Sequence, residues 1–130
     1  MDKLEEIQEI SDCAQGEANI KSKMDEVTER WDNTNFTVVS YRDSKDRFIV
    51  TEIEDLITQL EDDTMQVSTM MGSKFVVEIK TDVERMEKKL VYLQYLIDEW
   101  LTFQRTWMYL ENIFNAPDII KQLPNEAKLF

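Results

Sequence analysis

Apolar residues recur every three or four positions over three long stretches of the chain, which is the pattern of helices with one buried face. In the first stretch, residues 1–31, they form two stripes with Gly16 between them. Glycine in a helix interior costs about 1 kcal/mol relative to alanine. We therefore predict an amphipathic helix that is weakened or broken near Gly16 and ends at Trp31, whose ring fills the core.

The period changes after the polar segment 32–35, and two short runs of β-branched and aromatic residues follow, 36–41 and 47–50. A polar loop separates these two runs. The arrangement predicts a β-hairpin over about 36–50. Two strands alone are marginally stable, so we expect the hairpin to lie against helices or to join another sheet.

A second helix is predicted over 52–71. Thr51 and Glu54 have the spacing of a capping box, and Gly72 stands where a C-terminal glycine is expected. The acidic run at 61–63 lacks the alternating ligands and the glycine turn of a calcium loop. We interpret this run as a solvated face of the helix.

The third helix has the strongest pattern, because its apolar residues from Ile79 to Trp100 alternate spacings of four and three, as in a coiled-coil seam. A continuous helix over 73–114 would be about 60 Å long, so we expect part of it to pack on something outside the chain. Shorter helices should follow over 117–130. The predicted fold is mainly α: an elongated helical bundle with one long helix and a small β-hairpin inserted between the first and second helices.

The net charge of the chain limits the classes of molecule that it can bind. The 130 residues include 15 Lys and Arg, 27 Asp and Glu, and no His, for a formal net charge of −12. Residues 1–72 carry 7 basic and 18 acidic side chains, whereas residues 73–130 carry 8 and 9. This excess of negative charge opposes binding to nucleic acid. No apolar run reaches the roughly 18 residues of a membrane span, and no signal-peptide core is recognisable, so we expect a soluble, intracellular protein.

The residue types exclude most catalytic chemistry. Without histidine there is no imidazole base or zinc ligand, and Cys13 alone can neither close an intrachain disulfide nor build a thiolate metal site. With glycine only at positions 16 and 72, the chain has no phosphate-binding loop, dinucleotide fingerprint or hydrolase elbow. We predict no catalytic, cofactor-binding or metal-binding residue in this chain, which is therefore not expected to be an enzyme.

The most distinctive segment is an aromatic string over residues 100–114, W-L-T-F-Q-R-T-W-M-Y-L-E-N-I-F, followed by D-I-I at 118–120 and L-P-N-E at 123–126. This string resembles the linker region of dynein heavy chains, and the segment 55–76 is more similar to axonemal than to cytoplasmic members. The residues singled out as family motif and packing residues are Trp31, Trp100, Gln104, Arg105, Trp107, Tyr109, Leu110, Glu111, Ile113, Phe114, Leu123, Pro124 and Glu126.

The resemblance implies a mechanical role. In dynein heavy chains the linker is a helical arm that lies across a ring of AAA+ ATPase modules and transmits conformational change in an ATP-driven microtubule motor. The fragment itself would be non-catalytic, with ATP and magnesium bound elsewhere in the parent chain. Its partners would be the rest of the linker and the ring, with no direct microtubule contact, and its location the cytoskeleton of the cytoplasm, in the axoneme of a cilium or flagellum.

Helical spacing divides the aromatic string into two groups. Four residues at spacings of three, four and seven are predicted to share one face and to be buried together: Trp100, Trp107, Leu110 and Phe114. Arg105, Tyr109 and Glu111 are predicted to lie to the side, where they could contact other linker helices or the ring. Arg105 could instead form a surface pair with Glu99 or Glu111, worth under about 1 kcal/mol.

One alternative of a different class is a free-standing, spectrin-like helical adaptor that binds a partner helix through its acidic N-terminal half. Three-helix repeats share the heptad seam of the third helix but have no place for a pair of strands. Helical structure over residues 36–50 would favour this adaptor.

Overall fold

The computed structural model describes residues 2–130, which form five α-helices and one antiparallel pair of strands. A 3₁₀ turn, Val77–Ile79, precedes the third helix. In chain order the elements are α1 (Asp2–Asp32), β1 (Thr37–Ser40), β2 (Phe48–Thr51), α2 (Glu54–Met71), α3 (Lys80–Phe114), α4 (Pro117–Gln122) and α5 (Pro124–Leu129). The prediction of a mainly α fold, with one long helix and a hairpin between the first two helices, is confirmed. Residue 1, where the first helix was predicted to start, lies outside the described residues.

The accessible surface shows how open this architecture is. The described chain exposes 10059 Å², whereas a compact monomer of 15.5 kDa would expose about 7,200 Å². Much of the excess is apolar: Leu4, Ile7 and Ile10 of α1 are 62–73% exposed. The first half of α1 therefore presents its predicted apolar stripe to solvent instead of burying it.

The core lies along the seam between α2 and α3, with the second half of α1 packed beside it. Val83, Leu90 and Ile97 of α3 are buried at seven-residue intervals, as the heptad pattern predicts. The buried residues that complete the seam are Ile20, Val27, Ile53, Leu60, Val67, Met70 and Val76. This seam supplies the hydrophobic stabilisation that joins the three longest helices.

Two predicted helix starts are wrong. Helix α2 begins at Glu54 rather than 52, because Thr51 remains in β2 and the N-cap residue is Ile53, which offers no side-chain cap. Helix α3 begins at Lys80 rather than 73, since the chain needs the intervening segment, including its 3₁₀ turn, to reverse direction after α2. The capping box predicted from spacing therefore does not form.

Gly16 does not break α1, which is helical from Asp2 to Asp32, so of the two predicted alternatives, a weak point or a break, the break is wrong. The glycine instead allows a close approach: a Cβ built on Gly16 would collide with the ring of Phe75. The missing side chain thus makes room for an aromatic ring from the segment that connects α2 and α3.

The acidic run of α2 is solvated only in part, because Asp63 is 1% exposed. Its carboxylate accepts hydrogen bonds from the indole Nε1 of Trp31 (2.8 Å) and from Gln59 (3.1 Å), and it forms an ion pair with Arg30. Trp31 is half-buried at this point, with its ring against the core. These contacts tie the end of α1 to the middle of α2.

We expect Gly16→Ala to lower the free energy of unfolding by about 1–2 kcal/mol, because the added methyl overpacks the contact with Phe75. Alanine in an unobstructed helix would instead raise stability by about 1 kcal/mol. Urea denaturation of the single variant and of the double variant Gly16→Ala with Phe75→Ala checks this. If the methyl destabilises equally when the ring is absent, the close approach is not the cause.

We also expect Asp63→Ala to lower the free energy of unfolding by about 2 kcal/mol, since the Trp31 indole N–H loses its acceptor and Arg30 loses its ion-pair partner. Asp62 is the matched control because it is exposed in the same helix, and Asp62→Ala should change stability by no more than about 0.5 kcal/mol. Thermal and urea denaturation would measure both. Equal effects of the two substitutions would contradict the structural role of Asp63.

Candidate functional site at the hairpin and the long helix

One side chain of α3 closes the outer edge of β2. The two strands pair with Thr37 opposite Thr51, Val38 opposite Val50, Val39 opposite Ile49 and Ser40 opposite Phe48. On the side of β2 that faces away from β1, the amide of Gln104 pairs with the backbone of Val50. Its Oε1 accepts from the Val50 N–H at 2.7 Å and its Nε2 donates to the Val50 carbonyl at 2.9 Å. Gln104 thus takes the place of a third strand.

A buried carboxylate of α3 holds the loop of the hairpin. Glu111 is only 4% exposed. It accepts hydrogen bonds from the hydroxyl of Tyr41 (3.3 Å) and from the guanidinium groups of Arg42 (3.2 Å) and Arg47 (3.4 Å). The amide of Asn115, one helical turn further on, donates a fourth bond. Both carboxylate oxygens are therefore satisfied, and both arginines are ion-paired to it.

The loop between the strands has an unusual backbone that these contacts stabilise. Arg42 and Asp43 have φ values of 49° and 59°, in the left-handed region that favours glycine. The side chain of Arg42 bonds to Glu111 and also to Asn112. Because the loop contains no glycine, its conformation depends on these contacts with α3.

Trp107 connects the hairpin to the C-terminal end of the chain. The edge of Tyr41 meets its indole at 5.4 Å between ring centroids, and the Arg47 guanidinium lies 5.7 Å from the indole centroid. On another side Phe130 stacks on Trp107 at 5.9 Å and on Phe114 at 4.9 Å. The indole is half-buried among these groups. A hairpin, the long helix and the last residue of the chain therefore meet at one aromatic cluster.

The structure brings three of the predicted motif residues together: Gln104, Trp107 and Glu111 all contact the hairpin. Their spacings of three and four place them on one face of α3. We define this set, with the hairpin residues that it contacts, as the clasp. The prediction that Glu111 lies to the side was wrong, because residues four apart are close on a helix and Trp107 is part of the covered face.

Trp100 differs from its predicted environment. It is 50% exposed and its ring lies 5.9 Å from that of Phe103, which is itself 60% exposed. The prediction that it is buried with the other three apolar residues is wrong, because within residues 2–130 no element covers that side of α3. Trp100 instead forms part of an apolar groove beside the hairpin.

The remaining motif residues divide by exposure. Leu110, Ile113 and Phe114 are half-buried, whereas Arg105, Tyr109, Leu123, Pro124 and Glu126 are exposed, and Trp31 lies apart in the Asp63 cluster. Arg105 forms no ion pair with any residue of 2–130, so neither Glu99 nor Glu111 is its partner. Pro124 opens α5, where its missing N–H costs no helical hydrogen bond.

Sequence reasoning missed Tyr41, Arg42 and Arg47. The sequence held one indication of them: Glu111 is a carboxylate within an aromatic helix face, and a buried carboxylate requires hydrogen-bond donors. Those donors lie 64 to 70 residues away along the chain. The sequence pattern can thus show that Glu111 needs donors, but it cannot identify residues so distant in the chain.

The clasp binds structural elements to each other. Across residues 2–130 no group of three or more His, Cys, Asp or Glu side chains is arranged to hold a metal ion. Every buried side-chain nitrogen or oxygen in that range has a hydrogen-bond partner. No helix of the described chain is long and apolar enough to cross a membrane.

We expect Glu111→Gln to lower the free energy of unfolding by about 2 kcal/mol, because the neutral amide loses both ion pairs and its NH₂ faces two cations. The loss should stay below that of a fully buried pair, since both guanidinium groups are about half exposed and regain water. Glu99→Gln, an exposed site on the same helix, is the matched control. Amide exchange of the hairpin should quicken only in the first variant, and similar exchange in both would contradict the clasp.

Comparison with known proteins agrees with the resemblance of the aromatic string. The family model described as "Dynein heavy chain, N-terminal region 2" matches residues 1–130. The chain is 44% identical over 126 residues to dynein axonemal heavy chain 6 of Homo sapiens, 36% identical over 127 residues to dynein axonemal heavy chain 3 of Homo sapiens, and 41% identical over 127 residues to dynein axonemal heavy chain 2 of Mus musculus. These alignments cover 97–98% of this chain but only 3% of each relative.

Proposed function

We propose, since this chain belongs to the dynein heavy chain family, that it is a non-catalytic mechanical element of the linker of such a heavy chain. In that role it would transmit conformational change from an AAA+ ATPase ring to the rest of an ATP-driven microtubule motor. The observation that carries the proposal is the clasp. Because Gln104, Trp107 and Glu111 hold the hairpin at three points on one helix face, the hairpin and α3 respond to a load as one body.

The long helix supports a role in transmission. Its 35 residues extend over about 52 Å at 1.5 Å per residue. Along this length Tyr92, Tyr95 and Phe103 are 58–61% exposed at helical spacing. An apolar face of this kind on a long helix suits packing against further linker helices, which would extend the element.

The proposal also assigns the chemistry of the motor to other parts of the parent chain. ATP and magnesium would be bound there, and the partners of this segment would be the remainder of the linker and the ring. The relatives are named axonemal heavy chains, so the proposed location is the cytoskeleton of a cilium or flagellum. Neither a nucleic acid nor a membrane is a proposed partner.

The helical adaptor has less support. Residues 37–51 form the two strands and their loop instead of continuing a helix, and three-helix repeats do not accommodate such a pair. The acidic N-terminal half is also partly used internally, because Asp63 is buried in contact with α1. We therefore retain the linker proposal.

The test uses a heavy chain that contains this segment and carries Gln104→Ala with Glu111→Gln. Loosening the clasp should lower microtubule gliding velocity more than it lowers ATP turnover, because force is lost between ring and tail while the nucleotide sites are intact. Glu99→Gln is the control and should leave both rates unchanged. Gliding that remains proportional to turnover in the clasp variant would contradict the proposal, as would co-sedimentation of the isolated chain with microtubules.

A further inference from the structure

The two edges of the hairpin differ. The N–H and C=O of Val50 point away from β1 and are bonded to Gln104. Because Val38 is directly opposite Val50, the antiparallel pattern makes this a non-hydrogen-bonded pair, so the N–H and C=O of Val38 also point outward, on the other side. Those of Ser40, two residues on, point the same way. Within residues 2–130 neither residue's backbone groups have a partner on that side. The outer edge of β1 is open.

The side chains of this edge provide none of the usual protection against strand pairing. Natural sheets protect exposed edges with lysine, proline, bulges or a covering element. The four residues of β1, T-V-V-S, include no charge and no proline. Val38 and Val39 are 54% and 41% exposed, one on each face of the sheet, and Phe36 is 45% exposed. The edge therefore offers both free hydrogen-bonding groups and uncovered apolar side chains.

An apolar groove of about 490 Å³ lies between α3 and the face of the hairpin that carries Val38 and Val50, and it reaches the open edge at Phe36 and Val38. Phe36 and Val38 line it from the hairpin, and Leu93, Leu96 and Trp100 line it from α3. Side chains alternate along a strand, so every second residue of a strand added to β1 would lie on the Val38 face and cover this groove. Trp100 is half exposed because its ring lines this groove.

The charge at one end of the hairpin favours a basic occupant. Glu52 follows β2 at this end, and neither it nor the nearby Glu54 and Asp55 has an ion-pair partner within residues 2–130. At the loop end Asp43, Asp46 and Glu111 are balanced by Arg42, Lys45 and Arg47. An occupant with lysine or arginine at the end next to Glu52 is therefore complementary. A second copy of this chain, with a net charge of −12, would be repelled.

We propose that β1 binds an extended segment of a partner polypeptide as a third strand. The segment would have apolar residues at alternate positions, facing Val38 and the groove, and basic residues at the end next to Glu52. Main-chain hydrogen bonds to Val38 and Ser40 would give affinity, and the groove would give sequence preference. This interaction goes beyond the proposed linker function, which requires no partner at this edge.

The test is a titration of the 130-residue chain with a synthetic peptide, Lys-Lys-Val-Thr-Val-Thr-Val-Lys-Lys, followed by amide NMR and hydrogen exchange. Binding should slow exchange of the Val38 and Ser40 amides and leave that of Val50 unchanged. A peptide with glutamate in place of each lysine should bind more weakly. Val38→Pro removes the outward N–H but no hydrogen bond within the hairpin, and should weaken binding about tenfold or more relative to Val38→Ala, which keeps the donor.

Three results would overturn this proposal: no protection of the Val38 and Ser40 amides, equal affinity of the Val38→Pro and Val38→Ala variants, or concentration-dependent pairing of the chain with itself through β1. Circular dichroism and the dispersion of the hairpin amides report whether Val38→Pro keeps its fold. If that variant unfolds, the exchange measurement on the unaltered chain still decides the question, because it requires no substitution.

Discussion

The burial of one carboxylate, that of Glu111, constrains the hairpin and the second half of α3. Removing a charged group from water is costly unless several donors surround it, and breaking such an arrangement costs more than forming it gains. The donors here come from the helix and from both ends of the hairpin loop. The loop must therefore adopt the geometry that presents them, including two non-glycine residues with positive φ. A two-stranded sheet that would be marginal alone acquires a defined position in this way.

A second buried carboxylate with several donors lies between α1 and α2, where Asp63 is surrounded by Arg30, Trp31 and Gln59. In both clusters a buried carboxylate accepts from arginine and from an aromatic side chain, an indole N–H in one and a phenol in the other. The apolar seam provides attraction without direction, whereas each carboxylate accepts bonds only in a specific arrangement. The seam therefore holds the helices together, Asp63 fixes the end of α1 on α2, and Glu111 fixes the hairpin on α3.

The contrast between seam and carboxylates explains what could be predicted from sequence. Periodicity is local, so the heptad positions Val83, Leu90 and Ile97 and the change of period at the hairpin were sufficient to predict the elements. The burial of Glu111 and Asp63 was missed because their donors are distant in the chain. Gly16 was misinterpreted for a related reason, since the residue that requires the small side chain, Phe75, belongs to another segment. Trp100 was predicted to be buried from spacing alone, which identifies a face but not the element that covers it.

The arginines are used selectively. The three arginines within residues 1–72 are Arg30, Arg42 and Arg47, and each is paired with a buried carboxylate. Their planar, multiply donating groups are suited to these sites in a way that lysine is not. The other basic residues of this part are lysines, all of them exposed. Each pair buries the carboxylate but leaves the arginine side chain 39–57% exposed, so the three arginines remain part of the surface. At the loop of the hairpin Asp43 and Asp46 therefore lie beside Lys45 and two half-exposed arginines, whereas Glu52 at the other end has no ion-pair partner within residues 2–130, so the two ends of the open edge of β1 differ in charge.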